Sequence, residues 1–148
     1  MTHNRTPGWF DQLVSTARIN PEGYSYKVST NRIVSLGYAV SGWLYMLRWQ
    51  RNTRIQAVAS LTTLILALLL KVSFVEMAIL ILTITIVWMA EFINAAVEAV
   101  VNLASPEFHP MAKVAKDVAS AAVLLGVVAS VLVGLLILGP PMIKVLLV

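Results

Sequence analysis

The chain has no cysteine among its 148 residues. That excludes disulfides, thiolate zinc sites, iron–sulfur clusters and cysteine nucleophiles. Histidine is nearly as scarce. His3 and His109 are the only two, so no histidine metal cluster forms within one chain. Charged residues make up only 12%, about half the share usual in a soluble domain. Disorder is excluded on the same ground, because disordered chains are polar and charge-rich. Familiar nucleotide signatures are missing too. There is no GxxxxGKS/T, no GxGxxG and nothing like the protein-kinase catalytic loop, and neither GxSxG nor HExxH occurs. If this protein uses ATP, it does so with another architecture.

What the chain has in abundance is apolar surface. Hydrophobic residues account for 59%, and the mean hydropathy is +0.82. A soluble domain of this size could not hide so much from water. Length allows one domain and no second. The net charge of +4 could suggest nucleic acid, but no nucleic-acid-binding motif accompanies it.

Residues 1–30 are polar, carry Pro7, Gly8, Pro21 and Gly23, and lack the apolar stretch of a signal peptide. They read as an N-terminal tail ahead of a membrane domain over 31–148. Within 31–50, Ile33, Leu36, Val40, Trp43, Leu44 and Leu47 recur at helical spacing. Trp43, Tyr45 and Trp49 favour the lipid headgroup zone. An amphipathic helix lying flat in the interface is expected there. Three apolar runs come next, predicting spans over about 55–74, 77–103 and 116–138, the last stopping at Gly139-Pro140-Pro141. Each is long enough for a hydrocarbon core, which needs about 20 helical residues. They lack barrel alternation, so helices are the spanning form. The expected fold is all-α and integral to the membrane.

Lysine and arginine set the orientation. Seven precede residue 55, and Lys113 and Lys116 lie between the second and third runs. Lys71 and Lys144 fall on the other side. Nine against two puts the N-terminus in the cytoplasm and the C-terminus outside.

The second run ends in a polar face. Glu91, Asn94, Glu98 and Asn102 stand at i, i+3, i+7 and i+11 and so share one side of a helix. Burying such groups in a membrane is expensive and marks function. Two carboxylates on one face suit divalent-cation binding, or a metal site plus a general base. Lys116 and Asp117 open the third run near the depth of Glu98, a natural place for Mg²⁺ and phosphate oxygens. Lys113 reads as a positive-inside anchor, and His109 as a loop cap rather than a ligand.

Glu91-Phe-Ile-Asn94-Ala-Ala-Val-Glu98, then Pro106-Glu107-Phe108-His109-Pro110 and Ala115-Lys116-Asp117-Val-Ala-Ser-Ala-Ala-Val-Leu-Leu, resembles the prokaryotic diacylglycerol kinase family, which includes undecaprenol kinases. Weaker agreement runs back through Tyr38-Ala39, Gly42 and Arg51-Asn52-Thr53-Arg54-Ile55, so the likeness covers about residues 35–138. It implies a homotrimer in the bacterial inner membrane. Each chain would have an interfacial helix and three spans, and the active sites would be shared between subunits. The implied reaction moves the γ-phosphate of Mg-ATP to a lipid alcohol, diacylglycerol or undecaprenol. By position, Glu91 matches the general base, and Asn94, Lys116 and Asp117 match nucleotide contacts. Glu98 and Gln50 match the metal positions, with Asn102, Glu107 and Arg54 as further candidates. Two residues depart from the family: Gln50 where a metal-binding glutamate is common, and Asn102 where aspartate often stands. A non-catalytic membrane subunit of the same fold, or a cation pathway using the acidic face, are the competing readings.

Overall fold

The three apolar runs give three long helices, and a shorter helix precedes them. The computed structural model describes residues 32–147; the tail expected over 1–30 lies outside them. The helices are α1 (Arg32–Trp49), α2 (Arg51–Leu69), α3 (Phe74–Ala104) and α4 (Pro110–Leu146), with no strand among the described residues. The described residues fall into two units, 32–42 and 43–147. In the first, Ser41 Oγ donates to the Gly37 carbonyl at 2.9 Å. The second holds all three long helices.

α2, α3 and α4 are long and apolar enough to cross a membrane. At 1.5 Å per residue they measure about 28, 46 and 55 Å. α3 and α4 therefore exceed the roughly 30 Å hydrocarbon core. The burial pattern inverts that of a soluble protein. Thr53, Glu91 and Asn94 are buried, while Ile65, Leu82, Ile86, Leu125 and Leu136 face outward. In lipid, outward apolar side chains cost nothing, and polar groups seek the interior.

α3 and α4 pack against each other along their length. Asn102 meets Lys116 and Asn94 meets Ser120, then Gly126 approaches Val87, and Leu138 joins Leu80. Partners descend α3 as they climb α4, so the two are antiparallel. Ala67, Leu80 and Leu138 form a small core at the far end, against Leu70, Val72, Met77 and Ile137. Trp43, Trp88 and Phe92 form an aromatic cluster, with Trp43 stacked on Trp88 at 4.8 Å between ring centres. Trp88 Nε1 donates to Ser60 Oγ at 3.1 Å, tying α3 to α2.

The turns explain themselves locally. α2 ends in a Schellman arrangement: Val72 N donates to the Ala67 carbonyl and Lys71 N to that of Leu68, each at 3.2 Å. This holds Lys71 at φ 54°, the left-handed region that glycine usually fills. Ser73 and Glu76 then close a capping box at the start of α3. His109 caps α4, its Nδ1 accepting from Met111 N at 3.2 Å, with Pro110 in the first turn.

α4 departs from the expected span at both ends. It starts at Pro110, and it continues through Pro140 and Pro141 to Leu146 instead of stopping at Gly139. Both prolines lose a backbone hydrogen bond, but their φ suits a helix. Such gaps are tolerated in membrane helices. The Leu138 contact with Leu80 and Ala67 holds the helix just before them.

Candidate functional site

Helical spacing puts Glu91, Asn94, Glu98 and Asn102 on one side of α3, and packing then grades their exposure. Glu91 is 4% exposed and Asn94 9%, Glu98 is half-buried and Asn102 exposed. Antiparallel packing sets Glu91 level with the first turn of α2, where Asn52 engages its carboxylate. Glu98 and Asn102 lie about 10 and 16 Å further along α3. The polar face therefore runs from a buried carboxylate to an exposed amide.

Hydrogen bonds join this face to α4. Asn94 Nδ2 donates to Glu98 Oε1 and accepts at Oδ1 from Ser120 Oγ, both at 3.4 Å. Lys116 Nζ donates to Asn102 Oδ1 at 2.7 Å. Asp117, which its place in the sequence pairs with Lys116, is instead ion-paired with Lys113 one turn earlier. Lys113, expected to be an anchor alone, thus also pairs with a candidate site residue, both side chains being exposed.

The remaining candidates stand apart from this network. Gln50 occupies the N-cap of α2 without a side-chain capping bond. Arg54 is exposed, its backbone N–H donating to the Gln50 carbonyl at 3.4 Å. Glu107 is exposed in the α3–α4 loop, where its carbonyl accepts from Ser105 Oγ. No group of three or more His, Asp or Glu side chains converges among the described residues. Mg²⁺ does not need one, because it is commonly held by one or two carboxylates together with substrate phosphates. Glu98, half-buried on the polar face, offers one such carboxylate.

Three residues to which the sequence reading assigned no role join the site: Asn52 and Ser120, which lie inside the family-like segments, and Gln56, which lies just beyond one. They line a groove of about 830 Å³ bounded by α2, α3 and α4, with Glu91 in its wall. The signal was present. Asn52, Gln56, Ser60 and Thr63 stand at i, i+4, i+8 and i+11 of the first apolar run, a polar stripe on one face of α2. Elsewhere the groove is lined by apolar side chains such as Val87, Val127, Leu135 and Leu138.

A carboxylate in the wall of a largely apolar groove, with amide and ammonium groups further along the same face, can accept the proton of a hydroxyl group. The sequence profile of prokaryotic diacylglycerol kinase matches residues 37–138. A diacylglycerol kinase of Synechocystis is 37% identical over 123 residues, covering 82% of this chain and 70% of that protein. The undecaprenol kinase of Bacillus subtilis is 39% identical over 93 residues, 63% of this chain and 76% of that one. A diacylglycerol kinase of Escherichia coli is 32% identical over 103 residues, 70% and 84% of the two chains. The chain belongs to the prokaryotic diacylglycerol kinase family and is a lipid kinase with three candidate membrane-spanning helices.

Proposed function

We propose that the chain transfers the γ-phosphate of Mg-ATP to the hydroxyl of a membrane lipid, with Glu91 as general base. The observation that carries this is Glu91 itself: a carboxylate 4% exposed, in the wall of a largely apolar groove. Its partners there are Asn52 and, further off, Glu98. Glu91 takes the proton of the lipid hydroxyl as the oxygen bonds to the γ-phosphorus. The bond from that phosphorus to the β–γ bridging oxygen breaks, and ADP leaves. Little covalent work is asked of the protein; positioning and charge neutralisation supply most of the acceleration.

Glu98 and Gln50 would hold the Mg²⁺, which neutralises charge on the β- and γ-phosphates when bound. Lys116 offsets phosphate charge, and its bond to Asn102 keeps the ammonium near the exposed end of the polar face. Asp117 and Asn94 complete the nucleotide side, with Glu107 and Arg54 at its edge. Charge distribution supports a cytoplasmic N-terminus and an external C-terminus in a bacterial inner membrane. ATP then reaches the site from the cytoplasm. The interfacial pose of α1 is supported by Trp43, Tyr45 and Trp49 near its end. A homotrimer is supported by the family resemblance.

The test is transfer of label from γ-labelled ATP into lipid by the purified protein in mixed micelles. Label is expected in the organic phase with diacylglycerol or undecaprenol present, dependent on Mg²⁺. Absence of transfer to both lipids refutes the reading.

A further inference from the structure

Two lysines stand in the opening turns of α4, and their charges are met differently. Lys113 is ion-paired with Asp117 on its own helix. Lys116 reaches across to α3 and donates from Nζ to Asn102 Oδ1 at 2.7 Å. Among the described residues no carboxylate is ion-paired with it. Glu98, one turn before Asn102 on the same face of α3, accepts from Asn94 instead. The positive charge of Lys113 is therefore balanced inside the protein, and that of Lys116 is not.

The acceptor chosen for Lys116 matters because it is neutral. An ammonium can only donate, so the amide must turn its oxygen to the lysine. One hydrogen bond then holds the head of a four-carbon stem that would otherwise sample many rotamers. It leaves the ammonium two further donors and its whole charge. A carboxylate at the same place would hold the lysine more firmly but cancel that charge, and a phosphate would meet a neutral pair instead of a cation. As a tie between helices the bond adds little. Asn102 is exposed, exposed polar contacts of this kind are weak, and α3 and α4 already pack against each other along their length.

We propose that Asn102 is a positioning residue for Lys116: its neutral amide holds the ammonium at the open end of the polar face while leaving the full positive charge to the nucleotide phosphates. Nucleotide affinity is thereby tuned by the charge of the side chain at 102 and not only by the presence of Lys116. The inference rests on the lipid-kinase reading above and deepens its nucleotide side. It makes an unusual demand on the conservative replacement. Aspartate at 102 keeps the shape and strengthens the bond to Lys116, yet it weakens nucleotide binding.

The experiment measures KM for ATP and kcat of the purified full chain in mixed micelles, at saturating lipid and Mg²⁺, for parent, Asn102→Asp and Asn102→Leu. Unfolding in mixed detergent is followed on the same preparations. In Asn102→Asp the KM for ATP is expected to rise about fivefold, the upper end for an exposed ion pair. The value of kcat moves less, because the nucleotide charge that Lys116 faces is present before transfer as well as during it. Added salt narrows the gap between parent and Asn102→Asp by screening the new charge, and the unfolding midpoint holds or rises. In Asn102→Leu the KM also rises, because the ammonium loses its anchor. Several results overturn the proposal. One is an unchanged or lower KM for ATP in Asn102→Asp, which shows that the neutrality of residue 102 is immaterial. Another is a parent-like KM in Asn102→Leu, which removes the positioning role. A loss in Asn102→Asp that salt does not relieve and that comes with a lowered unfolding midpoint makes Asn102 a structural tie; the kinase reading survives all three. Absence of phosphate transfer by the parent removes the kinase reading itself, and this inference with it.

Discussion

Glu91→Gln isolates the proposed base from everything else at the site. Glutamine has nearly the shape of glutamate, so the packing that leaves Glu91 4% exposed is kept. The amide can still bond Asn52, which engages the native carboxylate. The charge and the proton acceptor are what disappear. Catalysis should fall by about 10²–10⁴-fold, the usual contribution of a general base. Stability should move the other way. Glu98 lies seven residues on, about 10 Å along the helix axis. At an effective dielectric constant near 20, two negative charges at that distance repel by about 1.5 kcal/mol. The half-exposed position of Glu98 screens part of this, leaving a gain of about 1 kcal/mol in the variant. Label transfer to lipid and equilibrium unfolding in mixed detergent, run on the same preparations, measure both effects. Activity within about threefold of the parent would remove Glu91 from the base role. Loss of activity together with loss of folding would refute the claim that its charge is not needed for structure.

Gln50→Glu should lower the apparent Mg²⁺ midpoint of kinase activity by about tenfold, which corresponds to about 1.4 kcal/mol of added attraction. An unchanged midpoint in Gln50→Glu and Gln50→Ala, alongside a dead Glu98→Gln, places Gln50 outside the metal shell. For orientation, single cysteines at Ser15 and Val148 are treated with an impermeant reagent in spheroplasts. Labelling is expected at 148 and not at 15, and the reverse refutes a cytoplasmic N-terminus. Lys71→Gly should raise unfolding free energy by about 1 kcal/mol, because φ 54° strains any residue with a Cβ. No gain in a denaturant titration would mean that the left-handed turn is not under strain. Ser73→Ala should cost about 1 kcal/mol in the same titration by removing the cap on α3, and a neutral result would show that the capping box is not stabilising.

The sequence by itself determined what depends on neighbours a few residues away. Apolar runs of about 20 residues announce helices for lipid, because only an internally hydrogen-bonded backbone survives there. The i, i+3, i+7, i+11 spacing of Glu91, Asn94, Glu98 and Asn102 is a property of one helix and needs no partner to be read. The cap at His109 is equally local. Tertiary structure decided what depends on residues tens of positions apart. It buried Glu91 and left Asn102 exposed, because α2 and α4 cover only part of the α3 face. It joined Lys116 to Asn102 and Asp117 to Lys113, where adjacency in sequence had suggested that Lys116 and Asp117 act together. It brought Asn52 and Gln56 of α2 and Ser120 of α4 to one groove, from segments more than 60 positions apart in the chain. It also carried α4 through Pro140 and Pro141, which local rules read as a stop, because the contact of Leu138 with Leu80 and Ala67 holds the helix where the lost backbone bonds would have ended it.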